Sequence, residues 1–356
     1  MECLRNTWYM AMWAQDLPQG ELVPRTILDE PLVLFRKEDG TPSALLDQCP
    51  HRFAPLHRGK LCGDHVQCGY HGLQFDVSGA CVHNPHGDHR IAASLKVPAY
   101  PIVEKHTMLW VWMGDEPADP ALIPDYSIFD AGSGYVISKR DHLTMEAHYQ
   151  LITDNLLDLS HVSFLHDGIL GNEDTIDAAI EVEQKHDTLY VTRRMPNVRP
   201  PGMFDLLFLQ NGERVDTWFT MRWDVPCCLL NDAGVTRPGE PKEKGTGIFG
   251  AHILTPISET RTLYHFAAAR QNPLPRSEAE TQALQQKLGE LRRFAFEQQD
   301  EPMINDQQKA YSRNGGMDSL VPVYLSVDAG PVRAARILKQ KIEGERREVA
   351  QHALQA

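Results

Sequence analysis

The sequence predicts an α+β fold in two parts, an all-β N-terminal domain over 1–118 and a larger domain of strands and helices over 119–356. Three observations carry that prediction. Short apolar runs separated by Gly, Pro and Asp fill the first 115 residues, the pattern of a small β-sandwich or barrel. The stretch 116–124, rich in Pro and Ala, reads as a linker. Beyond it, helical periodicity on either side of a β-rich region at 180–270 marks a second fold.

In the first part, Pro31–Arg36 predicts a strand, the turn Glu38-Asp39-Gly40-Thr41-Pro42 follows, and Ser43–Asp47 predicts the next. Gly72–Asp76 and Gly79–Val82 predict a hairpin around Val77-Ser78, and Met108–Met113 closes the series before Gly114. In the second part, Leu151, Ile152, Leu156, Leu159 and Val162 recur at three- and four-residue spacing and predict a helix over 147–165. Thr188–Thr192, Asp216–Thr220 and Thr262–Phe266 predict strands, whereas Gly234–Lys244, with its prolines and charges, predicts an exposed loop. The adjacent Cys227-Cys228 reads as strand packing. Residues 277–308 return to a helical pattern, and 332–351 predict a terminal helix with a solvated charged face.

Composition excludes several classes. The 35 basic and 48 acidic residues leave a net charge of −13, which argues against nucleic acid and anionic membranes as partners. No run approaches the ~20 apolar residues of a membrane span, and the first residues lack a secretory pattern. Seven cysteines at 3, 49, 62, 68, 81, 227 and 228 are too sparse for a disulfide framework and suit a reducing, cytoplasmic setting.

Two constellations carry chemistry. The first is Cys49-Pro50-His51 followed, sixteen residues on, by Cys68-Gly69-Tyr70-His71. Cys₂ on one iron and His₂ on the other is the ligation of a Rieske [2Fe–2S] centre. A Cys₂His₂ zinc site is the competing reading, but zinc fingers pair Cys with Cys and His with His, whereas each half here offers one of each. The second constellation is Asp154-Asn155-Leu156-Leu157-Asp158-Leu159-Ser160-His161, with His166 five residues beyond His161. Asp158 and His161, three apart, would share one helix face. His166 can join them only if the helix loosens or ends near Phe164. Two His and one carboxylate form the facial triad of non-haem Fe(II) oxygenases. Alone, this segment reads first as an amphipathic helix with two satisfied histidines and a solvated Asp. A cluster that delivers single electrons upstream in the same chain favours the iron reading.

With both constellations in place, the sequence resembles the oxygenase component of the Rieske non-haem iron aromatic-ring oxygenases over nearly its whole length. The opening Arg5-Asn6-Thr7-Trp8-Tyr9, the strand Trp110–Asp115 and Asp328-Ala329-Gly330 resemble a narrower group, the vanillate and dicamba O-demethylases and the toluenesulfonate methyl-monooxygenase. The resemblance implies a Rieske domain followed by a catalytic domain built on a helix-covered antiparallel sheet. It implies that Cys49, His51, Cys68 and His71 hold the cluster. It also implies that His161 and His166, with a carboxylate from a late helix, hold the mononuclear iron. Asp300 fills that last place. Gln299 stands where an acidic residue often precedes the ligand and Pro302 interrupts the helix, so Asp306 is the fallback.

The resemblance further implies a head-to-tail homotrimer in which Asp158 bridges a cluster histidine of one subunit, foremost His71, and His161 of the next. A ferredoxin or flavin reductase drawing on NAD(P)H would supply electrons, and O₂ would be the co-substrate. The expected reaction is O-demethylation of a vanillate-like methoxylated aromatic acid to a phenol and formaldehyde. Aryl-methyl hydroxylation and ring dioxygenation are the alternatives, and a Rieske electron carrier lacking the mononuclear iron is the reading from another class. Asn231 and His252, on segments that resemble the demethylase pocket, are candidates to hydrogen-bond a substrate carboxylate or phenol. The competing reading makes Asn231 the start of a turn with Asp232-Ala233-Gly234 and His252 a satisfied strand residue. Asn155 is a further candidate for the pocket or for supporting a ligand.

Overall fold

Turn chemistry and short apolar runs do produce strands throughout the first part. The computed structural model describes residues 2–355. The chain divides into two units, Met1–Ala131 with Thr255–Ser258 and Gly344–Ala356, and Gly132–Leu254 with Glu259–Glu343. The first unit carries β1 (Trp8–Trp13), β2 (Val23–Ile27), β3 (Glu30–Arg36), β4 (Pro42–Leu46), β5 (Lys60–Cys62) and β6 (His65–Gln67). It continues with β7 (Gln74–Phe75), β8 (Cys81–His83), β9 (Ala99–Tyr100), β10 (Ile102–Lys105) and β11 (Met108–Trp112).

These strands form three antiparallel sheets, ordered β1-β11-β10, β2-β3-β4-β9 and β5-β6-β7-β8. Strands β1 and β11 are buried at every position, which is why they read as unbroken apolar runs and not as alternating ones. The core beneath the short strands joins Val33, Phe35, Leu45, Val66 and Phe75 to the buried Cys49 and Cys68. The predicted hairpin at Val77-Ser78 is present. Asp76 Oδ1 accepts the backbone N–H groups of Ser78 and Ala80 at 2.9 and 3.1 Å, an Asx turn that closes β7 on β8. Gly79 completes it at φ 78°, and a Cβ there would lie 1.8 Å from the Val97 carbonyl oxygen.

The second unit is built on one antiparallel sheet. Its strands are β12 (Val136–Ile137), β13 (Asp141–Met145), β14 (Ile180–Lys185), β15 (Thr188–Val198) and β16 (Val215–Asp224). Strands β17 (Cys228–Thr236), β18 (Thr246–Ser258) and β19 (Arg261–Gln271) complete it. The order is β12-β19-β18-β17-β16-β15-β14, with β13 also pairing β19. Met221, Asn231 and Gly250 lie in one cross-strand row, and Phe219, Ala233 and Ile248 in the next. Asn231-Asp232-Ala233-Gly234 is therefore mid-strand and not a turn. Gly234–Thr236 are buried in β17, so the exposed loop predicted from Gly234 begins only after Thr236.

Helices α1 (Tyr149–Leu157), α3 (Glu278–Arg293), α4 (Glu301–Arg313) and α5 (Ala329–Gln355) follow the predicted positions with changed ends, whereas α2 (Gly202–Leu207) interrupts the region read as β-rich. The helix expected to run through 165 stops at Leu157. Asp158 is its C-cap, and the Asp158 carboxylate accepts the Ser160 N–H at 2.8 Å and the Ser160 hydroxyl at 2.5 Å. Such local bonding competes with helix continuation. Asp158 and His161 thus do not share a helix face, because His161 opens a separate short turn. Helix α3 begins with the capping box Ser277/Glu280. Its continuation Phe294–Asp300 widens into a π-helical turn before α4. Pro302 falls in the first turn of α4, where a missing N–H costs little, so it does not break the chain's path.

Two consequences are measurable. Gly79→Ala forces both a left-handed backbone and a steric overlap, and is expected to cost about 1–3 kcal/mol in denaturant unfolding. Asp154 in α1 is half-buried, and desolvation together with the Asp328 charge pushes its carboxyl up to about 7. The folded state therefore holds this proton more tightly than the unfolded chain, whose Asp titrates near ~3.9. Stability from this group is full in acid and declines as pH rises from about 4 to 7. Asp154→Asn should flatten that decline when melting is followed across the same pH range.

Candidate metal centre and its cavity

The Cys49 and Cys68 loops share one backbone design. Cys49 N–H donates to Ala54 and Phe53 N–H to Cys49, at 2.9 and 2.8 Å; Cys68 N–H donates to Leu73 and Gly72 N–H to Cys68, at 2.8 and 3.0 Å. The fifth residue of each is left-handed, Phe53 at φ 58° and Gly72 at φ 73°. Two similar turns thus present thiols buried at 2% and 1% exposure, with the His51 and His71 rings 4.5 Å apart. Burial, with Cys68 beside it, pushes the Cys49 thiol up to about 11. A bound cation would reverse that preference and hold the thiolate. Buried paired thiols with neighbouring imidazoles fit a Cys₂His₂ iron–sulfur cluster. Gly69 keeps the second loop seated, because a Cβ there would lie 2.7 Å from the Arg58 carbonyl oxygen.

In the second unit, ligand atoms of His161, His166 and Asp300 all lie within 4.8 Å of one another, a group that could hold one metal ion. Asp300 Oδ1 is 3.7 Å from His161 Nε2 and 3.2 Å from His166 Nε2. The other ring nitrogens are occupied. His161 Nδ1 bonds the Asp158 backbone carbonyl, and His166 Nδ1 donates to Gln299 Oε1 at 2.8 Å. Each bond fixes the tautomer that leaves Nε2 facing inward. Asn155 Nδ2 donates to Asp300 Oδ1 at 3.1 Å. Burial pulls His161 down; it also opposes charge on His166, where the Asp300 hydrogen bond and charge, with Gln299, prevail and raise it.

The segment after α1 needs its own support. Arg193, 1% exposed on β15, donates Nη1 to the Leu159 carbonyl at 2.7 Å and Nη2 to the Thr175 and Ile176 carbonyls. That strap holds the chain between Asp158 and His161. The triad borders a cavity of about 560 Å³ whose walls include Leu156, Ile169, Phe219, Met221, Ile248 and Phe266. Asn231 and His252 both line it. The Asn231 Oδ1 is buried without a hydrogen-bond partner. His252 Nδ1 bonds the Tyr264 hydroxyl at 2.5 Å, and burial takes this imidazole down to about 4, so it stays neutral.

The sequence pattern of the Rieske [2Fe-2S] domain matches residues 7–101, and that of the vanillate O-demethylase oxygenase C-terminal domain matches 145–344. The chain belongs to this vanillate O-demethylase family of Rieske oxygenases. Family relatives span nearly its full extent. The chloroacetanilide N-alkylformylase oxygenase component of Rhizorhabdus wittichii is 35% identical, with 97% of each chain covered. The dicamba O-demethylase oxygenase component of Stenotrophomonas maltophilia is 34% identical over 96% of this chain and 98% of its own. A crystal structure of dicamba monooxygenase with non-haem iron and dicamba superposes at a TM-score of 0.80 and 33% identity, covering 98% of this chain and all of the other. The chain is accordingly an oxygenase component of a multicomponent system.

The structure brings together His161, His166, Asp300 and Asn155, and separately Cys49, Cys68, His51 and His71. Asp306 is exposed and paired with Lys309 at 2.8 Å, away from the triad. The Asp158 carboxylate faces Ser160, with its Oδ2 4.0 Å from His161 Nδ1. Sequence reasoning missed Arg193 and the role of Gln299; a lone Arg within a β-pattern gave no signal, whereas Gln299 beside the ligand could have been read as its support. Asp300→Asn is expected to lower bound iron by about one per chain with the cluster's visible spectrum intact, and Asp306→Asn to leave both unchanged. Metal analysis with absorbance checks this.

Proposed function

We propose that this oxygenase component O-demethylates a methoxylated aromatic acid, releasing a phenol and formaldehyde. The observation that carries the proposal is a facial His161/His166/Asp300 group opening onto an apolar cavity of about 560 Å³, a volume suited to a small aromatic molecule. Residues 1–118 form the Rieske domain and 119–356 the catalytic domain in this reading. Cys49, His51, Cys68 and His71 would hold the [2Fe–2S] cluster, and His161, His166 and Asp300 the Fe(II). When bound, the cluster supplies single electrons and the iron supplies oxygen activation.

The protein's own groups place the substrate and keep water out. Apolar walls take the ring, and Asn231 and the neutral His252 offer hydrogen bonds to a phenol or carboxylate oxygen. Asn155 and Gln299 hold the ligand side chains in place. Electrons come from NAD(P)H through a ferredoxin or flavin reductase. A head-to-tail homotrimer sets Asp158 of one subunit against the cluster histidine His71 of its neighbour. The Ser160 bonds hold the Asp158 carboxylate for that contact.

Aerobic turnover with a reductase, NADH and a panel of methoxybenzoates and methylarenes decides the reaction. Formaldehyde in equal amount with the matched phenol is expected; a diol or a benzyl alcohol as sole product replaces demethylation. Asp158→Asn should retain both metals yet lose roughly 10–100-fold in turnover, the usual effect of removing a group that orients metal ligands. Normal turnover in that variant would remove Asp158 from the bridge.

A further inference from the structure

One end of the cavity holds a cation with nothing to neutralise it. Arg270, on β19 and lining the cavity, is 8% exposed. It forms no salt bridge among the described residues, and its Nε is buried without a hydrogen-bond partner. The charged group that perturbs it is another cation, Arg276. Arg276 Nη2 is taken by the Leu206 and Phe208 carbonyls at 3.0 Å each, while its Nη1 is also buried and unpartnered. The other lining cations differ. Lys139 pairs with Asp141 at 3.1 Å, and Arg292 feels the charge of Asp141 and lies over the Phe266 ring.

A buried unpaired guanidinium is costly, and such groups are found where a ligand completes them. Arg270 also sits away from the metal group. Phe266, on the same strand, has its ring centre 6.0 Å from that of Phe296, and Phe296 lies in the turn that ends at Asp300. Arg270 is four residues further along β19, about 13 Å by strand rise. Asn231 and His252 are neutral, so neither can balance a charge. Arg270 can.

We propose that Arg270 is the anion anchor of the cavity, receiving the carboxylate or sulfonate of the substrate and directing its opposite end toward His161, His166 and Asp300. The inference rests on the proposed oxidation of an aromatic acid at that triad and adds which end of the acid goes where. A planar fork matches either oxyanion, and charge-assisted bonds of this kind are about twice as strong as neutral ones. Substrates whose anionic group and methoxy group are para should suit the site better than ortho ones.

Calorimetric titration of the holoenzyme with 4-methoxybenzoate and 4-methoxybenzamide tests it without needing turnover. The acid is expected to bind at least about 10-fold more tightly than the amide. Arg270→Met should abolish that preference and leave amide binding within about twofold, and Arg270→Lys should keep part of it. Because the substitution removes an unpaired buried charge, Arg270→Met should melt no lower than the parent, and added acid should raise the melting temperature of the parent only. Equal binding of acid and amide by the parent, equal losses for both in Arg270→Met, or a kcat/KM favouring 2-methoxybenzoate over the para isomer would each overturn the anchor. Acid-selective binding lost in Arg270→Met, with no formaldehyde formed by the parent, would keep the anchor and discard demethylation.

Discussion

The second unit depends on keeping a buried carboxylate beside two imidazoles. Asp300 is 4% exposed and shares its space with His166 at 2% side-chain exposure. Left alone, such a group would be neutralised or would pull the helices apart. The surrounding structure is arranged against both outcomes. Asn155 donates to Asp300 from α1, and Gln299 accepts from His166 from the same turn that carries Asp300. The wide turn over Phe294–Asp300 lets adjacent residues reach one imidazole from two sides, which a regular α-helix, turning about 100° per residue, does poorly.

The same constraint explains why α1 ends early. A helix running from Ala147 to Leu165 would satisfy its own hydrogen bonds, but it would place His161 and His166 well apart around its axis. Ending at Asp158 leaves carbonyl groups exposed inside the protein. His161 Nδ1 takes the Asp158 carbonyl and Arg193 takes the Leu159 carbonyl, so the break is satisfied by groups that also position the site. A single arginine on β15 thereby links the sheet to the histidine segment.

Most of the architecture was legible because each kind of element left its own mark. The turn after Phe75 and the buried strand β11 have local causes, and the sequence shows local causes directly. The Cys49–His71 loops were legible for the same reason, since cluster ligation is written in residue type and spacing. What the sequence concealed depends on distant partners. Gly234–Thr236 looks like loop composition until Trp218 packs against Gly234, where a Cβ would lie 2.2 Å from the ring. Periodicity carried the helix past Leu157 because the Asp158–Ser160 bonds and Arg193 are invisible to a hydrophobic pattern. Of the candidate ligands, Asp300 could be separated from Asp306 only by burial and by the lysine that occupies Asp306.

Charge shows the same division between global and local. A chain at −13 should repel organic acids at long range, and its surface gives no reason to expect an anionic substrate. Long-range repulsion is weakened by salt over a Debye length of about 8 Å, whereas a guanidinium inside a cavity is screened far less. The acidic exterior and the uncompensated Arg270 therefore act on different steps. The first slows approach and keeps the protein dispersed; the second selects among molecules that have already entered. With Asp300 beside His161 and His166 and His252 held neutral by burial and the Arg292 charge, Arg270 remains a buried lining cation without a salt bridge among the described residues. An apolar trough with a triad in one part and the unpaired Arg270 in another reads a molecule by its two termini, and the ring between them needs only to fit.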